Sequence, residues 1–168
     1  MTPENKPQVA IVMGSDSDLP TMQSCIDSLK DFGVSTTVRV ISAHRTPDIA
    51  ADFADNAKAN GIKVIIAAAG MAAHLAGSLA GRTPLPIIGV PMQASTGPTG
   101  LDALYSTVQM PPGVPVASMA IGKAGAKNAA IFAVQILSLA DEALASKLDE
   151  FRKAQSDAVI AKDKALQG

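Results

Sequence analysis

The stretch Val64-Ile65-Ile66-Ala67-Ala68-Ala69-Gly70 decides the fold of this chain. Every side chain from Val64 to Ala69 is apolar, with no two-residue alternation. A strand written this way is covered on both faces, as in parallel sheets packed between two layers of helices. Working outward, Ala72–Gly81 predicts a short helix after it. Before it, Pro47 predicts the opening of a helix with Ile49, Ala50, Phe53, Ala54 and Ala57 as its buried stripe and Asn60-Gly61 as its end. Further upstream, Val9–Met13 reads as a strand. Leu19, Met22, Ile26 and Leu29 then mark one face of a helix that Gly33 stops. The β-branched residues of Ser35–Ile41 predict a second strand. Downstream, Pro86–Val90 reads as a strand, Leu101–Met110 as a helix, Val114–Ile121 as a fifth strand and Ala124–Ala140 as a long apolar helix.

Strands alternating with helices imply parallel pairing through right-handed crossovers. The expected fold class is α/β, a three-layer sandwich with a five-stranded, or slightly larger, parallel sheet of flavodoxin-like type. The pattern leaves strand order open. A length of 168 residues fits one domain spanning 1–168, on a scale of about 150 residues per domain. Residues 1–7 are expected to be disordered or extended. Residues 141–168, where Leu144, Leu148, Phe151 and Val159 punctuate charged residues, are expected to form a C-terminal helical tail.

Hydrophobic residues at 48% and charged residues at 17% exclude a disordered chain. A net charge of −1 offers no electrostatic footprint for nucleic acid. Cys25 is the only cysteine, which excludes a disulfide framework and a cysteine-based zinc site. The start lacks the apolar core of a signal peptide. The longest apolar stretch, Val64–Ala73 with Gly70 inside it, is about half of what a bilayer needs. A soluble, cytoplasmic protein without membrane contact is expected. Aromatics are only 3% and mean hydropathy is +0.24. Small apolar side chains in such excess point to helix surface buried between subunits, hence an oligomer.

The polar and glycine-rich segments all follow strands. Gly14–Asp18, Ser42–Pro47, Gly70–His74, Pro91-Met92-Gln93 and Gly122-Lys123 come after strands one to five in turn. In a parallel sheet these lie together at the carboxyl edge, where open α/β proteins bind ligands. The opposite turns, Asp31–Gly33 and Ala59–Lys63, carry ordinary turn chemistry. Gly14–Asp18 suits a phosphate at a helix start, with Asp18 holding ribose hydroxyls or simply capping the helix. It is neither a dinucleotide fingerprint nor a Walker loop. The only two histidines, His44 and His74, both fall at this edge. His44 is a candidate general acid–base, and Arg45 beside it offers a planar fork for phosphate or carboxylate. The bland alternatives are a capping histidine and a surface charge. His74, in an apolar helix start, also reads as a core histidine. No metal is expected, and Cys25, between Met22 and Ile26, reads as packing. The Gly/Pro-rich loop Gln93–Gly100 reads as a lid or binding loop.

Together, Val12-Met13-Gly14-Ser15-Asp16-Ser17-Asp18, Ser42-Ala43-His44-Arg45-Thr46-Pro47 and Ala72-Ala73-His74-Leu75 resemble the phosphoribosylaminoimidazole carboxylase catalytic-subunit family. They are more similar to its bacterial branch, the N5-carboxyaminoimidazole ribonucleotide mutases. The resemblance continues through Leu104-Tyr105-Ser106, Val108-Gln109-Met110-Pro111 and Ala120–Ala126, and covers roughly residues 8 to 155. It implies a ribonucleotide substrate with a phosphate, whose carboxyl group moves from the exocyclic nitrogen to carbon 4 of the imidazole in de novo purine synthesis. It also implies no cofactor, a homo-octamer and a possible hand-over of the labile carbamate from the synthetase that makes it. By the same resemblance, His44 is the proton-shuttling catalytic residue. Ser15, Asp18 and Arg45 bind substrate, supported by Ser17, Ser42, Gly70, Ala72 and His74. Three positions depart from the pattern: Met71 stands where a second glycine is usual, Ala76 where proline is common and Ala94 where serine is common. Two other readings are direct carboxylation of aminoimidazole ribonucleotide by carbon dioxide and a non-catalytic flavodoxin-like nucleotide-binding module. A signalling receiver of that class would need an aspartate after strand three, where Gly70-Met71 stands.

Overall fold

The computed structural model describes residues 6–94 and 97–167. Strand β3 (Val64–Gly70) pairs with β1 (Val9–Met13) on one side and β4 (Ile87–Met92) on the other. β2 (Thr36–Val40) lies outside β1, and β5 (Ala117–Ser118) outside β4. The sheet is five-stranded and parallel throughout, in the order β2-β1-β3-β4-β5.

The unbroken apolar run of β3 feeds two cores. Val64, Ile66 and Ala68 join Val9, Ile11 and Met13 against α1 (Leu19–Asp31) and α5 (Lys123–Ser138). Ile65 and Ala67 join Ala10 and Val12 against α2 (Pro47–Ala57) and α3 (Leu75–Ala80). The facing positions of α5 are Ala126, Ala129, Ala130 and Ala133, all fully buried. Part of the small-residue excess is therefore spent inside the chain, letting α5 lie close to the sheet and α1. Helix α4 (Leu101–Val108) packs over Gly89, where an added Cβ would drive into Cγ2 of Thr107 and lie 3.0 Å from Cγ1 of Val116. Cys25 is fully buried in the α1 core, and burial pushes its thiol up to about 12.

Several element boundaries differ from the sequence expectation. The fifth strand shrinks from Val114–Ile121 to Ala117–Ser118, because Pro115 has no N–H to give and the strand has a neighbour on one side only. Met119 N–H and Gly122 N–H still donate to Gly89 and Pro91 carbonyls (2.8 and 2.9 Å), outside a regular ladder. The third helix begins at Leu75 rather than Ala72, since Met71 adopts a left-handed φ of 56° and the turn closes with His74 N–H on Ala72 O. The fourth strand runs on to Met92.

The charged C-terminal stretch forms α6 (Glu142–Leu166). Its Asp141 cap accepts Leu144 N–H at 3.0 Å, a contact worth about 1 kcal/mol. Leu144 and Leu148 are buried, and Phe151 meets Phe32 edge-on at 5.4 Å. Lys147 Nζ donates to Phe32 O at the C-terminal end of α1 (3.0 Å), where a cation is favoured by the helix dipole. From Arg152 onward the helix is exposed. No helix among the described residues is long and apolar enough to cross a membrane. The first five residues of the N-terminal segment lie outside the described residues. Lys6 is held by a hydrogen bond from Ser35 Oγ to its carbonyl.

Candidate active site

Parallel pairing brings the carboxyl ends of the strands to one edge of the sheet. The loops after β1, β2 and β3 meet there through side chains. Because β1 lies between β2 and β3, groups from the two outer loops must reach across its end, a strand-to-strand span of roughly 9–10 Å.

After β1, Ser15 caps a 3-10 turn, Asp16–Asp18, that leads into α1. Its Oγ accepts Ser17 N–H at 3.3 Å and the Ser17 hydroxyl at 2.8 Å. Two hydroxyls and a backbone N–H thus cluster at the start of a long helix, the environment that suits a phosphate. Asp18 precedes α1 but makes no side-chain capping bond, so its carboxylate is not spent on the helix. Burial raises the Asp18 carboxyl above its ordinary 3.8; a backbone hydrogen bond at Ser15 opposes the rise and the Asp16 charge adds to it.

After β2, Ser42 and Thr46 lock the turn. Ser42 N–H donates to Thr46 Oγ1 (3.0 Å), which donates back to Ser42 O (2.9 Å). Ser42 Oγ accepts the Arg45 backbone N–H at 3.2 Å and Arg45 Nε–H at 3.4 Å. Arg45 Nη2–H donates to Gly14 O at 2.8 Å, tying the second loop to the first. The guanidinium is exposed, and Nη1 makes no hydrogen bond among the described residues.

His44, on the same turn, meets His74 from the loop after β3. His44 Nε2 lies 2.8 Å from His74 Nδ1, with the rings nearly perpendicular at 89°. One ring donates and the other accepts, so a single proton sits between them. Both histidines are exposed, which overturns the core reading of His74. Ala73 is buried beneath while Ala72 and Met71 face outward. Met71 is 65% exposed. It holds the left-handed conformation that the usual glycine would adopt freely, at a cost of about 1–2 kcal/mol. Gly70 is needed for close approach: a Cβ there would lie 3.3 Å from Met92 O.

The structure therefore pairs Ser15 with Ser17 and Ser42 with Arg45, ties the two loops through Arg45 and the Gly14 carbonyl, and pairs His44 with His74, all at the same edge. Gly70 and Ala72 stand beside them, and Asp18 reaches the first pair only through the Ser15 backbone. The sequence reading does not anticipate the pairing of the two imidazoles or the Gly14 carbonyl as a partner of Arg45. Gly122, placed at this edge by the sequence, has a φ of 71° and a ψ of −142°, a glycine-only backbone at the start of α5. Ser95 and Thr96 of the expected lid loop lie outside the described residues. Among the described residues, no three His, Cys, Asp or Glu side chains come together to hold a metal ion.

A family model for AIR carboxylase matches residues 8–158. The N5-carboxyaminoimidazole ribonucleotide mutase of Brucella melitensis is 57% identical over 151 residues, covering 90% of this chain and 93% of that one. The Bacillus subtilis protein of the same name is 54% identical, covering 92% and 95%. The Escherichia coli K12 one is 52% identical, covering 95% of each. A crystal structure of Treponema denticola PurE matches at a TM-score of 0.86 and 29% identity, over 97% of this chain and 100% of that chain. With matches that span nearly the whole sequence and the whole sheet, the chain belongs to the AIR carboxylase family.

Proposed function

We infer that this protein is an N5-carboxyaminoimidazole ribonucleotide mutase, an isomerase that makes 4-carboxy-5-aminoimidazole ribonucleotide in purine biosynthesis. One observation carries the reading. A chain 52–57% identical to relatives named for this reaction gathers Ser15, Ser17, Ser42, Arg45 and His44 at one sheet edge.

The chemistry needs few groups. His44, protonated, gives its proton to the carbamate nitrogen; the C–N bond breaks and carbon dioxide is released. Carbon 4 of the freed aminoimidazole attacks that carbon dioxide, forming the C–C bond. The now neutral His44 removes the carbon 4 proton, which restores the aromatic ring and recharges the acid. One histidine serves twice, and acid–base catalysis of this kind contributes about 10²–10⁴-fold. No cofactor enters. Ser15, Ser17, Ser42 and Arg45 hold the phosphate, Asp18 accepts the ribose hydroxyls, and Gly70, Ala72 and His74 complete the edge.

Carbon dioxide has to stay close to carbon 4, which calls for a covered site. His44, Arg45, Met71 and Ala72 are all exposed in the single chain, and Tyr105 and Leu139 are bare apolar side chains at 63% and 89% exposure. Both features support burial of this surface between copies of the chain; the homo-octamer that the family resemblance implies, in the cytoplasm, would be eight chains of 17.1 kDa or about 137 kDa. Light scattering should report that mass, and a monomer at micromolar concentration would remove the assembly. A transient hand-over from the carbamate-forming synthetase fits the lability of the substrate.

The family model's name, AIR carboxylase, keeps one second reading in play, direct carboxylation by carbon dioxide. Ultraviolet absorbance on mixing the protein with aminoimidazole ribonucleotide, ATP and bicarbonate separates the two. Turnover only when the carbamate-forming enzyme is added supports the mutase. Turnover without that enzyme and without ATP supports the carboxylase.

A further inference from the structure

We propose that His74 is a positioning residue for His44: its Nδ1 accepts the Nε2–H of His44, leaving Nδ1 of His44 as the nitrogen that gives and takes the reacting proton. The proposal rests on the reading of His44 as the proton-transferring group.

A catalytic imidazole needs a second group to fix its tautomer and its plane, most often a carboxylate. Among the described residues, neither His44 nor His74 forms an ion pair with an acid. The 2.8 Å contact between them is the one side-chain hydrogen bond that either makes there. Perpendicular rings at 89° exclude stacking as the reason for the contact. His74 is well placed to act as a fixed partner. Its own N–H donates to Ala72 O and its carbonyl accepts Ser78 N–H, both at 2.8 Å, between the buried Ala73 and Leu75. The backbone is held while the ring stands out toward His44.

A neutral imidazole suits this reaction better than a carboxylate would. A carboxylate favours the imidazolium strongly and would hold back the proton that the first half-reaction needs. An imidazole acceptor favours the imidazolium of His44 more weakly than a carboxylate does and still accepts the same N–H from the neutral form, as a group that alternates between them requires. The charged groups at the same edge are Asp16 and Asp18 after β1, Arg45 tied to Gly14 O, Asp48 in the first turn of α2, Asp102 in that of α4 and Lys123 at the start of α5.

The test compares His74→Leu with His74→Asn in the full-length protein. Asn Oδ1 takes roughly the place of His Nδ1 and can accept the same bond; Leu cannot. His74→Leu should lower kcat by about 10- to 100-fold with KM unchanged. Its kcat–pH limb should move to lower pH, since the imidazolium of His44 has lost its acceptor. His74→Asn should recover most of the rate and return the limb toward its original place. A readout independent of activity comes from nitrogen-15 magic-angle-spinning spectra of the two histidines, assigned with His44→Asn. They should show His44 protonated at Nε2 when neutral, with that preference lost in His74→Leu and kept in His74→Asn. Equal losses in both variants with a raised KM would put His74 on the substrate and overturn the proposal. So would an unaltered kcat and limb in His74→Leu. If His44→Asn is inactive while His74→Leu is not impaired, only the pairing falls. If His44→Asn itself turns over normally, the reading of His44 falls, and the spectra report separately whether the pair exists.

Discussion

Replacing Arg45 by Ala separates substrate binding from folding. The guanidinium is exposed, and its bond to Gly14 O joins two loops at a wet sheet edge, where water can take its place. Loss of that bond should change stability by no more than about 0.5 kcal/mol. A contact with a substrate phosphate, as proposed, would be charge-assisted, and such bonds are worth about 1.5–3 kcal/mol. That range converts to a rise in KM of about 10- to 150-fold. The turnover number should hold, because a phosphate remote from the reacting carbon is gripped equally in ground and transition states. Arg45→Lys keeps the charge but not the fork that reaches Ser42 Oγ and Gly14 O together, so its KM should fall between the two. Salt adds a control. Raising ionic strength should raise KM for the unaltered chain and for Arg45→Lys, and much less for Arg45→Ala. Initial rates by ultraviolet absorbance, with a thermal melt of each variant, give all four quantities. An unchanged KM in Arg45→Ala refutes the phosphate assignment. A fall in kcat at constant KM would move Arg45 onto the migrating carboxylate instead.

His44→Asn should lose at least about 10³-fold in single-turnover rate while still binding aminoimidazole ribonucleotide; turnover within a few-fold of the original would sink the mechanism. Asp18→Asn should melt higher at neutral pH. A carboxyl raised by burial binds its proton more tightly when folded, so its cost grows as pH climbs above the ordinary 3.8 and vanishes below it. The gap between the two melting curves should therefore close on acidification, and substrate affinity should drop. Gly89→Ala should destabilise by about 1–3 kcal/mol by driving into Thr107. Adding Thr107→Ser removes the offending methyl but keeps the hydroxyl on Ala103 O, so urea melts of the double variant should recover part of that loss.

Residues whose environment repeats along the chain were legible in the sequence, and those placed by one distant contact were not. β3 declares itself because both faces of Val64–Ala68 meet helices, and nothing but burial explains such a run. β5 does not, because Val114 and Val116 carry strand propensity while Pro115 and a one-sided edge leave only Ala117 and Ser118 to pair. The start of α3 depends on the left-handed Met71, which no helical periodicity foretells. At the site, His44, Arg45 and Ser15 could be placed at one edge by register alone. The bond from His44 to His74 joins residues 30 apart through loops on either side of β1, and strand order had to be known first. Asp18 was ambiguous between capping and binding in the sequence, and the structure shows that its side chain does not cap α1.

The candidate site hangs on two strands of unlike burial. Ser15 and Ser17 follow β1, an inner strand whose five residues are all buried. His44 and Arg45 follow β2, an edge strand with Val38, Arg39 and Val40 exposed. Native chains open locally before they unfold globally, and edge strands with few buried contacts open first. On warming or in mild denaturant, β2 can fray while β1, β3 and β4 still hold their helices. Catalysis would then be lost at a temperature where circular dichroism remains native, and amide exchange in β2 would run ahead of the rest of the sheet. Whatever covers that edge sets the working temperature of the enzyme more directly than the strength of its core does.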